Sequence, residues 1–277
     1  MSIRTILLAC TLTLSVAVQA QSYQELVRQA MTALGSDSIS QAQTLLEQAI
    51  SLDPAIPSNA ILFQYLGEIH QRKGEGQKAI EAYGRGLDIS PTNLDLLLGR
   101  ASAYMQGGQP ERALTDYTKV LEHSPAHEEA RFFRAYILTQ ARRYREARAD
   151  YETLLSNNPN HEDARLGLAL LNLKTGRPRE AIESLEALTI LYPKHARHAL
   201  ALSNVLIERK EYERASTFVT QAVDAEPDNP DCYLTRATLC LELKMRDQAR
   251  QDCQKALSLG ANPDEVATLL SQITSGM

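Results

Sequence analysis

The chain has 277 residues and a net charge of −5 at neutral pH, and charged side chains of both signs are interspersed along its length. This balance argues against a nucleic-acid-binding protein, because such proteins usually carry a basic domain or face. Apolar residues make up 44% of the chain and tryptophan is absent. A folded core must therefore be built from many small alanine, leucine and tyrosine contacts.

The first twenty residues predict a secretory signal peptide, residues 1–20. Arg4 gives a positive start, residues 6–18 are apolar, and the small residues that end at Ala20 form a cleavage pattern. This apolar run is too short for a spanning helix, and no later stretch is long enough, so no membrane span is expected. Cys10 resembles the cysteine of a lipoprotein signal, but the apolar run continues beyond it, so we do not expect lipoprotein anchoring. We expect an exported bacterial protein, periplasmic or extracellular.

The mature chain, residues 21–277, begins with a helical pair. Residues 24–34 and 39–52 carry apolar side chains at helical spacing, and Asp53 and Pro54 end the second helix. The next proline in register, Pro91, follows after 37 residues. The joint after the first pair is therefore predicted to be three residues longer than the later joints.

The stretch from Leu94 to Pro125 shows the repeating unit most clearly. Apolar residues at helical spacing predict a first helix, Gly107 and Gly108 predict a break, and a second amphipathic helix runs to Ser124. Neither helix can bury its apolar face alone, so the hairpin needs neighbours on both sides.

Those neighbours recur with a spacing of 34 residues. The prolines that close the hairpins are Pro91, Pro125, Pro159, Pro193 and Pro227. The alanines in the second helices are Ala79, Ala113, Ala147, Ala181, Ala215 and Ala249. The small residues in the first helices are Ala30, Gly67, Ala101, Ala135, Ala169, Ser203 and Ala237. A helix–turn–helix unit with this period and these columns resembles the tetratricopeptide repeat (TPR) family.

The resemblance covers essentially the whole mature chain and implies an all-α fold, an α-solenoid of seven TPR helical hairpins plus a C-terminal capping helix. The repeats fall at about 23–56, 60–93, 94–127, 128–161, 162–195, 196–229 and 230–261, and the capping helix at 263–275. One departure is that Arg131 and Arg165 occupy position 4 of their repeats, where the family places a bulky apolar residue.

Charged residues at two repeat positions occur together. Position 7 and position 23 hold arginine and aspartate in three repeats, which pairs Arg100 with Asp116, Arg134 with Asp150, and Arg236 with Asp252. The other repeats place uncharged residues at both positions, namely Gln29 with Leu45, Leu66 with Ala82, Leu168 with Ser184, and Leu202 with Phe218. This pattern predicts structural salt bridges between the two helices of a hairpin, with apolar packing elsewhere.

The histidines do not predict a metal site. His127, His161 and His195 are 34 residues apart, so they occupy one position in successive repeats. Stacked helices lie about 8–10 Å apart, whereas a transition metal holds its nitrogen ligands at about 2.1 Å, so this ladder cannot share one ion. His195 and His198 can reach one ion together, but two ligands alone are weak support. We expect no bound metal and no cofactor.

Three cysteines remain after removal of the signal peptide, at positions 232, 240 and 253. Cys240 and Cys253 face each other across a helical hairpin, and disulfides persist in exported proteins, so this pair is a possible disulfide. The alternative is a set of buried free thiols, because these two positions normally hold large side chains and a disulfide needs Cα atoms within about 7 Å.

The family resemblance also suggests a binding surface. In TPR proteins the first helices line a concave groove, into which positions 2, 5, 9 and 12 point. The implied partner-binding residues are Leu98, Met105, Phe132, Tyr136, Leu166, Leu170, Leu173, Leu200, Asn204 and Ile207. Such an apolar groove, with acidic residues at position 2, suits a protein or peptide segment that carries leucines and some basic residues. The alternative is that position 5 leans into the core.

No phosphate-binding loop, nucleophile elbow or metal-ligand triplet is apparent, so we expect no enzyme and no catalytic residue. The sequence favours a non-enzymatic TPR scaffold for protein–protein interaction in the bacterial cell envelope. One alternative is a direct binder of a peptide or polymer ligand in envelope assembly or export. A second alternative is an enzyme with an unrecognised site, since fold alone does not determine function.

Overall fold

The computed structural model describes residues 22–275, and the predicted signal peptide lies outside this range. Over the described residues the backbone forms α-helices joined by short connections, so the all-α prediction is confirmed. The helices are α1 (22–35), α2 (Ile39–Leu52), α3 (Asn59–Arg72), α4 (Gly76–Ile89), α5 (Leu94–Gln106), α6 (Pro110–His123), α7 (Glu128–Gln140), α8 (Tyr144–Asn157), α9 (Glu162–Lys174), α10 (Pro178–Leu191), α11 (Ala196–Glu208), α12 (Tyr212–Ala225), α13 (Pro230–Glu242), α14 (Arg246–Ser258) and α15 (Pro263–Ser275). Among residues 22–275, none of these helices is both long and apolar enough to cross a bilayer.

The chain divides into two compact units, and the division falls within α7, after Leu138. In the first unit, α2 to α6 pack in chain order, and the first helices α3 and α5 also contact each other. In the second unit, α8 to α15 pack in chain order, and α11 contacts α13. Within each unit, contacts between one hairpin and the next are the arrangement of an α-solenoid.

The turns inside the hairpins share one backbone conformation. The residue with a left-handed φ stands at the same place in every repeat and is Asp37, Gly74, Gly108, Arg142, Gly176, Lys210 or Lys244, with φ between 56° and 74°. Only some of these residues are glycine, although a left-handed φ costs other residues about 1–2 kcal/mol. Packing of the two helices of each hairpin therefore decides the turn conformation.

The longer joint after α2 is closed by a buried asparagine. Asn59 is fully buried, donates from Nδ2 to the carbonyl oxygen of Asp53 at 2.8 Å, and accepts from the hydroxyl of Tyr23 at 3.0 Å. These two bonds tie the start of α3 to the end of α2 and to α1.

Buried tyrosines of the second helices pack against the first helices of the same and the following repeat. Tyr83 of α4 is 1% exposed, and its ring lies between Gly67 of α3 and Gly99 of α5. A Cβ atom at either glycine would come 2.5 Å from Cε1 of Tyr83, so glycine is needed on both sides of the ring. Tyr117 of α6 instead stacks on Phe133 of α7, with the ring centroids 5.5 Å apart.

The final helix covers the end of the second unit. Val266 and Ile273 of α15 are at most 1% exposed and belong to the hydrophobic cluster that α13 and α14 form with α11 and α12. The helix α15 thus buries apolar side chains of the seventh hairpin, as a capping helix does.

Candidate functional site

In the first unit, the predicted groove residues are partly accessible on the first helices. Leu98 and Met105 of α5 are half-buried and pack against the core cluster of that unit. On α7, Phe132 is half-buried and Tyr136 is 43% exposed. This exposure gives α7 an accessible aromatic ring.

In the second unit, the predicted residues divide between surface and core. Leu166, Leu170 and Leu173 follow one another at helical spacing along α9, and we call them the α9 stripe. Leu170 is 39% exposed, whereas Leu166 and Leu173 are half-buried against the core. A large apolar side chain is therefore accessible at the centre of the stripe.

The neighbouring helix α11 behaves differently at the equivalent positions. Asn204 is exposed, but Leu200 and Ile207 are each 8% exposed and belong to the hydrophobic core of the second unit. Adjacent helices cover them, so on this helix positions 5 and 12 contribute to the core rather than to an open surface.

The arginines at position 4 have a structural role that the sequence did not reveal. Arg165 donates from Nε to the carbonyl oxygen of Pro159 at 2.7 Å. Arg131 donates from Nη2 to the carbonyl oxygen of Pro125. In the seventh repeat the hydroxyl of Tyr233 donates to the carbonyl oxygen of Pro227 at 2.8 Å. A donor six residues after the repeat proline thus satisfies a carbonyl group at the hairpin joint.

Two of the three predicted Arg–Asp pairs form bridges in the structure. Arg100 donates from Nε and Nη2 to the two carboxylate oxygens of Asp116, both at 2.8 Å. Arg236 donates to both oxygens of Asp252, at 3.0 and 2.6 Å. The third pair, Arg134 with Asp150, joins residues of different units and stays a prediction.

Two of the repeats without the bridge have clefts at the same place. A cleft of about 400 Å³ in the first unit is lined by Leu66 and Ala82, and one of similar volume in the second unit is lined by Leu168 and Ser184. These residues occupy positions 7 and 23. A small side chain in place of the aspartate leaves the space between successive second helices open.

One polar cluster in the second unit brings together residues that are far apart in sequence. Oε1 of Glu162, at the start of α9, lies 2.7 Å from Nδ1 of His195 and 2.7 Å from Nε2 of His198. Arg197 donates to the same oxygen and, from Nη1, to Asp163 at 2.7 Å. The sequence pointed to the two histidines but not to the carboxylate, which comes from the preceding repeat.

The cluster shifts the pKa values of its members. Burial favours the neutral carboxyl of Glu162, but hydrogen bonds from Arg197, His195 and His198 outweigh it and lower its pKa to about 2. Burial lowers the pKa of His198, against the opposing effect of Glu162. Among the described residues, Nδ1 of His198 is the one buried side-chain polar atom without a hydrogen-bond partner. Glu162 is therefore ionised at neutral pH, and the environment favours neutral His198.

The cysteines are free thiols in the structure. Cys240 and Cys253, the possible disulfide pair, are both buried and unbridged, as is Cys232. The sulfur of Cys232 contacts the carbonyl oxygen of Ala222 at 3.4 Å, and that of Cys240 contacts Gln248 at 3.8 Å. Burial raises the pKa of Cys232 to about 11 and also raises those of the other two. They serve as small core side chains.

Stacked helical hairpins with accessible apolar side chains on their first helices define a repeat protein of the protein-interaction class. Two family models described as "Tetratricopeptide repeat" match the chain, one at residues 138–205 and 206–273 and the other at 27–93 and 98–144. The chain belongs to the tetratricopeptide repeat family. No curated protein matches it significantly.

Solved structures of TPR proteins share the fold. A tetratricopeptide repeat protein from Parabacteroides merdae is 28% identical with a TM-score of 0.79, and the match covers 91% of this chain and 99% of that one. PilF of Pseudomonas aeruginosa is 20% identical with a TM-score of 0.60, covering 77% and 97%. YrrB, described as a TPR protein with an unusual peptide-binding site, is 17% identical with a TM-score of 0.54, covering 69% and 97%. The chain is thus a scaffold for protein–protein interaction, of a fold that is typically non-enzymatic.

Proposed function

We propose that this protein is an exported scaffold of the bacterial cell envelope, and that it binds a protein or peptide partner on the first-helix faces of its hairpins. The observation that carries the proposal is the α9 stripe, in which Leu170 is 39% exposed between two half-buried leucines. When a partner covers a leucine at the centre of an apolar stripe, the binding free energy becomes more favourable by about 25 cal/mol for each Å² of apolar surface removed from water.

The partner's chemistry follows from the surroundings of the stripe. Leu166, Leu170 and Leu173 suit apolar side chains spaced as in an amphipathic helix or an extended segment. Asp163, at the same end of α9 as Leu166, already pairs with Arg197 at 2.7 Å, so the apolar stripe rather than this carboxylate defines the ligand. YrrB, which has the same fold, is described as having a peptide-binding site. These observations support a leucine-containing peptide segment as the ligand.

Substitution of Leu170 tests this surface. We expect Leu170→Asp to weaken partner binding at least tenfold, about 1.4 kcal/mol, because a charge replaces an apolar contact. The immobilised mature chain and its variant are exposed to bacterial envelope extract, and each captured protein is quantified by mass spectrometry. A partner retained by the wild-type chain should be lost with Leu170→Asp.

Ile190→Asp is the matched control. Ile190 is 77% exposed but lies on α10, a second helix, so its substitution adds the same charge away from the stripe. The Ile190→Asp variant should capture the same protein as the wild-type chain. Equal capture by all three chains, with unchanged circular dichroism, contradicts the proposed surface.

Export is tested separately with the full chain, including residues 1–20. Expression in a bacterium with a C-terminal tag, followed by fractionation and mass spectrometry of the N-terminus, should give a periplasmic or extracellular protein that begins at Gln21. A cytoplasmic protein that begins at Met1 would contradict export. A chain that begins at a lipid-modified Cys10 would show lipoprotein anchoring instead.

A further inference from the structure

We propose that Glu162, His195 and His198 form a binding site for a divalent transition-metal ion of the Zn²⁺ type. One ligand atom of each residue is available: Oε1 of Glu162, Nδ1 of His195 and Nε2 of His198. These three atoms all lie within 4.8 Å of one another. Two imidazole nitrogens and one carboxylate oxygen are a donor set that Zn²⁺ accepts, with a fourth position left open.

The spacing of the three atoms is close to that of a coordination sphere. Zn²⁺ holds nitrogen and oxygen ligands at about 2.0–2.2 Å, so neighbouring ligand atoms in a tetrahedral site are about 3.3 Å apart. Oε1 lies 2.7 Å from each of the two nitrogens. An increase of less than about 1 Å in these separations, within reach of side-chain rotation, makes room for the ion.

The surrounding structure holds the ligands in place. The ring of His195 stacks on Tyr192, with centroids 5.7 Å apart and an interplanar angle of 10°. The hydroxyl of Tyr192 donates to the carbonyl oxygen of Asn160 at 3.0 Å, which ties the segment before α11 to the segment before α9. His198 is completely buried. The ligands from two successive repeats are thus positioned before any ion binds, and preorganisation of this kind favours binding.

The local charge also favours a cation. The carboxylate of Glu162 is accompanied by Asp163 and by Glu226, which accepts from the backbone N–H of Ala196 at 2.9 Å. Arg197 is the one guanidinium bound to Glu162 among the described residues. Three carboxylates against one guanidinium give a net negative charge around the two imidazole rings.

Arg197 competes with the ion for Oε1 of Glu162. Its side chain is 48% exposed and bonds both Glu162 and Asp163. It can leave Oε1 of Glu162 and keep its bond to Asp163. Removal of this exposed arginine should therefore strengthen metal binding, whereas an ion-pair network without a metal function predicts no such gain.

The test is a titration of the purified mature chain with Zn²⁺ alone, followed by calorimetry, with Co²⁺ absorption as a second probe of nitrogen ligation. We expect one ion per chain with a Kd of about 1 µM or tighter. His195→Gln should weaken binding by about 100-fold or more, because even the loss of an outer-shell partner typically costs 10–100-fold. Glu162→Gln should weaken it similarly, and Arg197→Gln should tighten it.

His123→Gln is the matched control, since His123 is an exposed histidine at the end of α6, in the other unit. The His123→Gln variant should bind Zn²⁺ with the same affinity as the wild-type chain. His195 is half-exposed, so its substitution is compatible with folding, which circular dichroism verifies. A wild-type Kd weaker than about 100 µM overturns the proposal. So does Zn²⁺ binding that His195→Gln leaves unchanged.

Discussion

At the scale of single residues, this chain uses one pair of positions in two ways. Arg100 with Asp116 and Arg236 with Asp252 fill the space between the helices of a hairpin with a bridge of two hydrogen bonds. Leu66 with Ala82 leaves a cleft in the equivalent space. The side chains at these two positions therefore decide whether the helices are joined by an ion pair or packed through uncharged residues, which line a cleft in two repeats.

The two members of a bridge should differ in their importance for stability. Asp116 is 2% exposed and Arg100 is 20% exposed. Arg100→Leu leaves a buried carboxylate without its partner and should cost about 3 kcal/mol of unfolding free energy. Asp116→Ala should cost less, because the long arginine side chain can reach water. Urea unfolding followed by circular dichroism measures both losses.

The combination already present in another repeat provides the control. Arg100→Leu with Asp116→Ala reproduces the pair Leu66 with Ala82. This double variant should be more stable than Arg100→Leu alone, since no charge is left buried without a partner. Additive losses would show that the two residues do not act as a pair.

At the scale of helices, the close packing of α3 and α5 around one tyrosine ring depends on glycine residues. The ring of Tyr83 fits between α3 and α5 because Gly67 and Gly99 leave room for it. The sequence alone indicates that these positions hold small residues, but it does not show that one tyrosine contacts both. The first helices of two successive repeats are therefore held at a distance that a single aromatic ring sets.

Two substitutions of glycine by alanine should consequently have opposite effects on the stability of the fold. Gly99→Ala places a methyl group within 2.5 Å of Tyr83 and should destabilise the fold by about 1–3 kcal/mol through overpacking. Gly84→Ala, in α4, meets Arg100 no closer than 4.0 Å and should stabilise by about 0.5–1 kcal/mol through helix propensity. Thermal unfolding of the two variants distinguishes them. Stabilisation of both would mean that the tyrosine ring moves freely.

At the scale of the whole molecule, stability is distributed along the chain. Each described unit has its own hydrophobic clusters, built from helices that are neighbours in sequence. In such a protein, stability is approximately a sum of repeat terms and nearest-neighbour terms. A substitution in one hairpin should therefore destabilise that hairpin and its immediate neighbours, and leave distant hairpins unchanged.

Hydrogen exchange measured by mass spectrometry tests this locality. In Gly99→Ala, amides of α3, α4 and α5 should exchange faster than in the wild-type chain, because the ring of Tyr83 packs poorly between these helices. Amides of α13 and α14 should exchange as before. Faster exchange in every helix would instead indicate that the entire chain unfolds as one cooperative unit.

The sequence by itself determined the helical hairpins, their number and their order. The 34-residue spacing of proline and alanine is sufficient for this, because each hairpin is a local structure that forms within one repeat. The pairing of Arg100 with Asp116 was also readable, since both residues belong to one hairpin and vary together among the repeats.

Only the tertiary structure decided which side chains are accessible and which distant residues meet. Leu170 is exposed while Leu200 is buried, although both belong to the same predicted groove, because coverage depends on the neighbouring helices. Glu162 meets His195 and His198 because successive repeats stack, which brings together residues more than thirty positions apart. The repeat period specifies each hairpin, but contacts between repeats depend on the angle and distance at which the hairpins pack, and these exist only in three dimensions.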